Sequence, residues 1–259
     1  MSEKTQKSIA DSLETNERML PYLPYLLQDL WAMGCSLNQI ISIVSSLKLP
    51  SQNTKVLDLG CGKGAVSINL ALKFGFSVTG VDAMQVFLDE ANEKSIEYNV
   101  SHLCNFIKAD INDFIKSSHN FSIVILASLG GILGTYNETI SKIRTQVKSG
   151  GYIVIDDGYL KEGIKLERKG YEHYRTHHKA IMELSAFGDK IINEINTSQI
   201  NSTINNEYSK LIKKRGEELI KEKPELYDLI NTYVENQFVE CEVIEKYLEG
   251  ALWLIQKKS

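Results

Sequence analysis

Proline is scarce, with 4 in 259 residues, and the 17 glycines fall far short of a collagen-like or low-complexity chain. The 4 cysteines, Cys35, Cys61, Cys104 and Cys241, are scattered without C-x-x-C spacing. That argues against a disulfide framework or a zinc site and suits a reducing cytosol. A basic excess is missing too: 29 Lys and Arg face 33 Asp and Glu, a net charge of −4. Without a basic footprint nothing electrostatic recruits nucleic acid or an anionic membrane. The opening stretch MSEKTQKSIADSLETNE is polar and lacks the apolar core of a signal peptide. The longest apolar run, Phe121 to Gly134, is interrupted by Ser128, Gly130 and Gly131 and is too short to span a bilayer. A cytoplasmic protein is expected.

What is present is ordinary globular material, 43% hydrophobic and 24% charged, enough for one elaborated α/β domain with a helical addition. Residues 9 to 48 read as helical and amphipathic, with Pro21 and Pro24 where a new helix can start and Gly34 as a stop. From Lys55 short apolar runs alternate with helical stretches. Strands are expected at 56–60, 77–83, 104–110, 121–128 and 152–160, with helices at 65–75, 84–99 and 137–150. Such alternation indicates βαβ units and a mostly parallel sheet covered on both faces. Beyond Leu160 a helix at 174–188, a strand at 189–196, some 40 charged helical residues and a last strand in 245–258 suggest an antiparallel edge strand finishing the sheet. The boundaries expected are a helical lid or extension at 1–50, an α/β domain over 51–198 and 241–259, and a helical insertion at 199–240.

The informative segment is VLDLGCGKGA. Gly60, Gly62 and Gly64 follow a strand and open a helix, so that backbone can approach a ligand while the helix N-terminus offers unpaired N–H groups. Asp82 ends the next strand about 20 residues on, the spacing of a carboxylate that bonds ribose hydroxyls. With Ala65, the glycines also satisfy the dinucleotide fingerprint. Asp58 discriminates. A pyrophosphate beside it meets a like charge, whereas an ammonium and a sulfonium, as in S-adenosylmethionine, are attracted. Asp58 also reads as a strand-end carboxylate bonded to the loop, and the two readings are compatible.

On these residues the chain resembles the class I S-adenosylmethionine-dependent methyltransferases. VLDLGCGKG is similar to their first motif, VDAM (81–84) to the second and KADIND (108–113) to the third. FSIVILAS followed by VKSGGYIVIDD resembles their fourth strand and the turn into the fifth. The resemblance covers about residues 50 to 196 plus the final strand. It implies a Rossmann-like α/β fold, a doubly wound, mostly parallel seven-stranded sheet, with the helical segment before it and the helical insertion before the last strand. It also implies roles by position. Gly60, Cys61 and Gly62 line the methionine part, with Asp58 near its ammonium. Asp82 takes the ribose, with Ala83 and Met84 against adenine. Asp110 and the Ile111 N–H read the adenine edge, and Ala127 and Ser128 approach the transferring methyl. Met84 as helix-start packing and Asp110 as a cap for the following turn are the plainer alternatives.

Methyl transfer from such a cofactor is an in-line displacement that needs orientation and a dry pocket more than acid–base help. The acceptor half is harder to read. An N/D-P-P-Y box is replaced by Ala127-Ser128-Leu129-Gly130-Gly131, which disfavours nucleobase or glutamine acceptors. Asp156 and Asp157 resemble the metal-holding acids of catechol-type enzymes, but Ser128 and Leu129 occupy the place of a third ligand, so no metal is expected. His173, His177 and His178 lie where acceptor-side residues occur, and with Ser128 the pair His177 and His178 are the candidate catalytic groups. Tyr22, Tyr25 and Trp31 are candidates for an apolar or cationic acceptor pocket, or else the core face of a packed helix. Lys213, Lys214 and Arg215 against Glu217 and Glu218 look like a solvated face. The expectation is therefore a methyltransferase acting on a small molecule, yielding S-adenosyl-L-homocysteine, as monomer or homodimer. A non-catalytic S-adenosylmethionine sensor is the alternative, and a NAD(P) oxidoreductase is disfavoured by Asp58.

Overall fold

The computed structural model describes residues 3–259. Seven strands form one sheet: β1 (Lys55–Leu59), β2 (Ser77–Asp82), β3 (Cys104–Lys108), β4 (Phe121–Ala127), β5 (Val147–Leu160), β6 (Lys190–Asn196) and β7 (Leu248–Gln256). Their order is β3-β2-β1-β4-β5-β7-β6. The first five run parallel, and β7 lies antiparallel between β5 and β6. The helices are α1 (Glu3–Ser12), α2 (Leu23–Leu26), α3 (Leu37–Ser45), α4 (Ala65–Phe74), α5 (Gln85–Glu97), α6 (Ile111–Phe114), α7 (Tyr136–Ile143), α8 (His177–Leu184), α9 (Ser198–Glu222) and α10 (Tyr227–Tyr247). The expected seven-stranded, mostly parallel fold is the one observed.

Burial on both faces explains the unbroken apolar runs of the strands. Leu57, Leu59, Val124, Leu126, Ile153 and Trp253 pack one way, against α6, α7 and α8. Val56, Ile123, Ile125, Val154 and Leu254 point the other way, against α3 and α4. Each such side chain contributes roughly 1.5–3 kcal/mol of transfer free energy. A third apolar cluster joins Met19, Leu23 and Leu26 to Ile212 and Leu219 of α9 and Ile230 and Tyr233 of α10. Gly216 of α9 permits that packing, since a Cβ there would stand 2.9 Å from the Val234 side chain.

Three sequence expectations need revision. The last strand, β7, is interior rather than at the edge, because its Leu252, Trp253 and Leu254 are too apolar to face water; the half-exposed β6 takes the edge. The helix expected to reach Gly150 ends near Gln146, where Val147 already pairs with Phe121 in the sheet. The segment from Met19 to Gly34 holds only one turn of α-helix, α2, with Pro24 in its first turn as expected, and Gly34 closes the segment at φ +92°.

Candidate cofactor and acceptor site

Strand order reverses between β1 and β4, and ligands of open α/β sheets bind at the carboxyl ends of strands at such a switch point. Register brings those ends level: Leu59 stands beside Val81 and Leu126, and Asp82 beside Lys108. The β1–α4 turn needs its glycines, which take φ values of +68° at Gly60, +49° at Gly62 and +73° at Gly64. A Cβ on Gly60 would also stand 2.5 Å from Leu129 Cδ1. Asp82 staples the turn. Its Oδ2 accepts from the Gly62 N–H at 2.9 Å and its Oδ1 from the Met84 N–H at 2.8 Å.

A cavity of about 150 Å³ opens beside this turn. All ten residues expected to bind the cofactor line it: Asp58, Gly60, Cys61, Gly62, Asp82, Ala83, Met84, Asp110, Ile111 and Ala127. Ser128 and Trp31 line it as well, and Thr5 and Ile9 of α1 roof it. Asp58 is buried, with Oδ2 accepting from the Ser67 hydroxyl at 2.6 Å, and burial pushes its carboxyl up to about 7 against that bond. Burial raises Asp82 too, while the amides of Met84, Gly62 and Ala83 pull the other way. Two carboxylates short of a counter-charge fit a ligand bearing positive charge and oppose a pyrophosphate. Asp110 caps α6 by accepting from the Asn112 N–H at 2.9 Å and takes the Thr5 hydroxyl at 3.2 Å.

A second cavity of about 860 Å³ adjoins the first, and Leu13, Met33, Ser128, Leu129 and Ile132 belong to the walls of both. Ser128, at φ +53°, turns the chain out of β4 exactly at that partition, and its N–H donates to the Asp156 carbonyl at 2.9 Å. Asp156 Oδ2 is held by the Ser36 N–H at 2.6 Å, and burial moves its carboxyl up to about 6. Asp157 is pushed up to about 7 by burial, against the hydroxyls of Tyr174 and Tyr136. His173, from the loop before α8, is buried in the cavity wall beside them, and burial pulls its imidazole down to about 4.

The other candidates lie elsewhere. His177 and His178 are exposed on α8 and line neither cavity; His177 Nε2 lies 2.8 Å from Glu194. Of the three histidines, the cavity holds His173. Tyr22 and Tyr25 pack in the third apolar cluster, away from both cavities; Tyr25 donates to Glu218 at 3.2 Å, and the Lys223 ammonium lies 5.3 Å above the Tyr22 ring. Trp31 keeps a place at the site, stacked on Tyr98 and donating its indole N–H to the Lys63 carbonyl at 2.9 Å. Lys63 itself was overlooked. Its buried ammonium reaches back to the Leu27 carbonyl at 2.8 Å and to Glu90 at 2.9 Å, tying the N-terminal segment to the glycine turn. Arg215 is not merely solvated, because it grips both oxygens of Asp29 at 2.6 and 2.8 Å.

Comparison with known proteins agrees with this fold. A family model described as a methyltransferase domain matches residues 50–250. The chain belongs to the class I methyltransferase family. A solved S-adenosylmethionine-dependent methyltransferase of Geobacter sulfurreducens, in complex with S-adenosyl-L-homocysteine, shares the fold at TM-score 0.75 and 18% identity, over 87% of this chain and 92% of that one. A sterol 4-C-methyltransferase of Caenorhabditis elegans is 27% identical over 52% of this chain and 40% of its own length. A ubiquinone biosynthesis O-methyltransferase of Rickettsia bellii is 28% identical over 46% and 48%. The chain thus spans about half the length of these curated relatives. Among the described residues no helix is long and apolar enough to cross a membrane.

Proposed function

We propose that this chain moves a methyl group from S-adenosylmethionine to a small-molecule acceptor seated in the larger cavity. The observation that carries the reading is the partition at Ser128 and Leu129, shared by a cavity lined with the family's cofactor motifs and a second one of acceptor size. When bound, S-adenosylmethionine supplies a methyl group on a sulfonium, a good leaving group. Asp58 and Asp82 would counter the positive charge of that ligand, and Asp82, whose oxygens hold the Gly62 and Met84 amides, would take the ribose hydroxyls. Met84, Phe87 and Ile111 offer an apolar slot for a base, with Asp110 at its edge. Ser128 and Leu129 set the line along which the acceptor approaches. The residues contribute positioning and water exclusion, which are the main protein contributions to such a displacement. A sensor that binds without turnover would not need the second cavity, and the catalytic reading is preferred for that reason.

Calorimetric titration with S-adenosylmethionine, S-adenosylhomocysteine and NAD is the direct test. Micromolar binding of both adenosyl ligands, lost in Asp82→Ala, is expected. Binding of NAD alone, or of none of the three, would overturn the proposal.

A further inference from the structure

The larger cavity carries more buried acid than its own cations neutralise. Lys7, Arg168 and Lys169 line it against Asp11, Glu14, Asp156, Asp157, Glu240 and Glu249; Arg168 is paired with Glu14, and Lys169 lies 3.4 Å from Asp11. Asp157 and Glu240 also face the cavity, and their close contacts are tyrosines: Tyr174 and Tyr136 at Asp157, and the Tyr171 hydroxyl 3.2 Å from Glu240. Between these acids runs an aromatic wall, with Tyr171 and Tyr174 rings 5.4 Å apart and the His173 ring 4.0 Å from Tyr174.

His173 is the least satisfied group there. Its side chain is 6% exposed, and among the described residues neither ring nitrogen has a hydrogen-bond partner. Nε2 stands 3.7 Å from Asp157 Oδ2, beyond hydrogen-bonding reach. The ring lies flat against the turn that follows the partition: a Cβ on Gly131 would be 2.6 Å from Nδ1, and one on Gly130 would be 3.6 Å from Cε1. An imidazole without a well-formed hydrogen bond in a buried wall, beside a carboxylate and packed on Gly130 and Gly131 just after Ser128, calls for a polar ligand atom.

Resting on the methyl-transfer reading, we propose that the acceptor is a small primary or secondary amine, drawn in as its ammonium cation by Asp157 and Glu240, and that His173 accepts its N–H. The aromatic wall suits a cation, whose charge is stabilised over ring faces as well as by acids. An anionic acceptor would add to a surplus of like charge, and a neutral alcohol would leave both carboxylates unpaired in a partly dry cavity. Burial raises Asp157 and Glu240 alike to about 7, as expected for acids awaiting a cation. Glu14 raises Glu240 further while Arg168 lowers it, and at His173 the Gly170 backbone and Glu172 work against the lowering by burial and Arg175. The step balances: the ammonium gives one proton to the Asp157 carboxylate, while neutral His173 accepts a hydrogen bond from a remaining N–H and holds the nitrogen in line. The freed nitrogen pair forms the N–C bond as the C–S bond breaks with its electrons left on sulfur. The products are a methylated ammonium and a neutral thioether, and the proton on Asp157 returns to water.

The test uses the full chain saturated with S-adenosylhomocysteine, so that binding is read without turnover. Primary and secondary amines, each paired with the alcohol and the carboxylate of the same skeleton, are titrated by calorimetry. At least one amine is expected to bind tenfold or more tighter than its partners. Asp157→Asn or Glu240→Gln is expected to remove that preference, with amine affinity falling on the order of ten- to a hundredfold and affinity for S-adenosylhomocysteine unchanged. With the responsive amine as substrate, His173→Gln is expected to lower kcat more than it raises KM, and Asp157→Asn to remove the acid limb of the pH–rate profile. Preference for alcohols or carboxylates, no preference, or a preference indifferent to both acid substitutions overturns the amine assignment while the cofactor reading stands. Failure to bind S-adenosylhomocysteine at all removes the methyl-transfer reading, and this inference with it. Using two acid variants, each checked for an unchanged melting temperature, keeps the result readable if one does not fold.

Discussion

Asp58 shows how one carboxylate can be both core and site. It is buried at the end of β1, bonded to Ser67, and faces Asp82 on β2, with the thiols of Cys35, Cys61 and Cys104 close enough to feel its charge. Its carboxyl is raised to about 7, so the folded protein holds a proton that the unfolded chain releases near its ordinary value of 3.8. Stability from Asp58 is therefore fully present below pH 4 and lost as the pH rises through 7. The same sign governs binding of a cation, which needs the ionised form. Affinity for S-adenosylmethionine is expected to rise between pH 6 and 7.5, with proton release that calorimetry in buffers of different ionisation heat will detect. Asp58→Asn should flatten that dependence and weaken binding on the order of tenfold or more. A dependence unchanged in the variant would assign the titration to another group. Gly131 offers a second check at this scale. Gly131→Ala drives a methyl into the His173 ring, 2.6 Å from Nδ1, and should impair acceptor binding while leaving S-adenosylhomocysteine affinity intact.

At the scale of elements, the β1–α4 turn is a unit whose parts fail together. Gly60→Ala combines a positive φ with contact against Leu129 and should lower the melting temperature by several degrees, for a cost of about 1–3 kcal/mol. Loss of adenosyl-ligand binding should accompany it. This unit was also the most legible part of the chain, because its signals are local: glycines where φ must be positive, an acid one strand later, and apolar runs for a sheet buried twice. All ten cofactor-side residues come from such strand ends. The acceptor side comes from elsewhere. His173 belongs to an irregular loop, Glu240 to α10 and Asp157 to β5, and only tertiary packing joins them, so no spacing in the chain announces their meeting. The same reason hid the roles of Lys63 and Arg215, whose partners Leu27 and Asp29 lie far off in sequence. His177 and His178 misled because helix-start histidines look alike whether they point inward or outward. The run Leu252-Trp253-Leu254 marks β7 as a covered strand, but that β6 is the neighbour along its free edge follows only from tertiary pairing.

Across the whole molecule, α1 and the segment after it roof both cavities. Thr5 and Ile9 lie over the smaller one, and Lys7, Asp11 and Glu14 border the larger. Among the described residues, Ala10, Ile9 and Leu13 hold this roof by packing in the third apolar cluster, and polar ties add the Thr5 hydroxyl on Asp110, Arg168 on Glu14, the Asn236 amide on the Glu14 carbonyl and Lys169 on Asp11. The exposed Lys169–Asp11 pair contributes only about 0–1 kcal/mol. The space left beneath, about 150 Å³, is smaller than the roughly 300–1,000 Å³ usual for pockets that enclose a small ligand. Movement of α1 on nucleoside entry is the expectation, with Lys63 on the Leu27 carbonyl and Arg215 on Asp29 keeping the rest of the N-terminal segment in place. Hydrogen exchange on the full chain should find residues 3–14 exchanging faster than α4 in the free protein, and slowed once S-adenosylhomocysteine and an acceptor are both present. Arg168→Ala should loosen the roof, raising both the exchange rate of that segment and the dissociation rate of S-adenosylhomocysteine several-fold, with the melting temperature almost unchanged. If ligand leaves no protection on residues 3–14, α1 is a fixed wall and the entrance must lie on the α9–α10 side of the larger cavity.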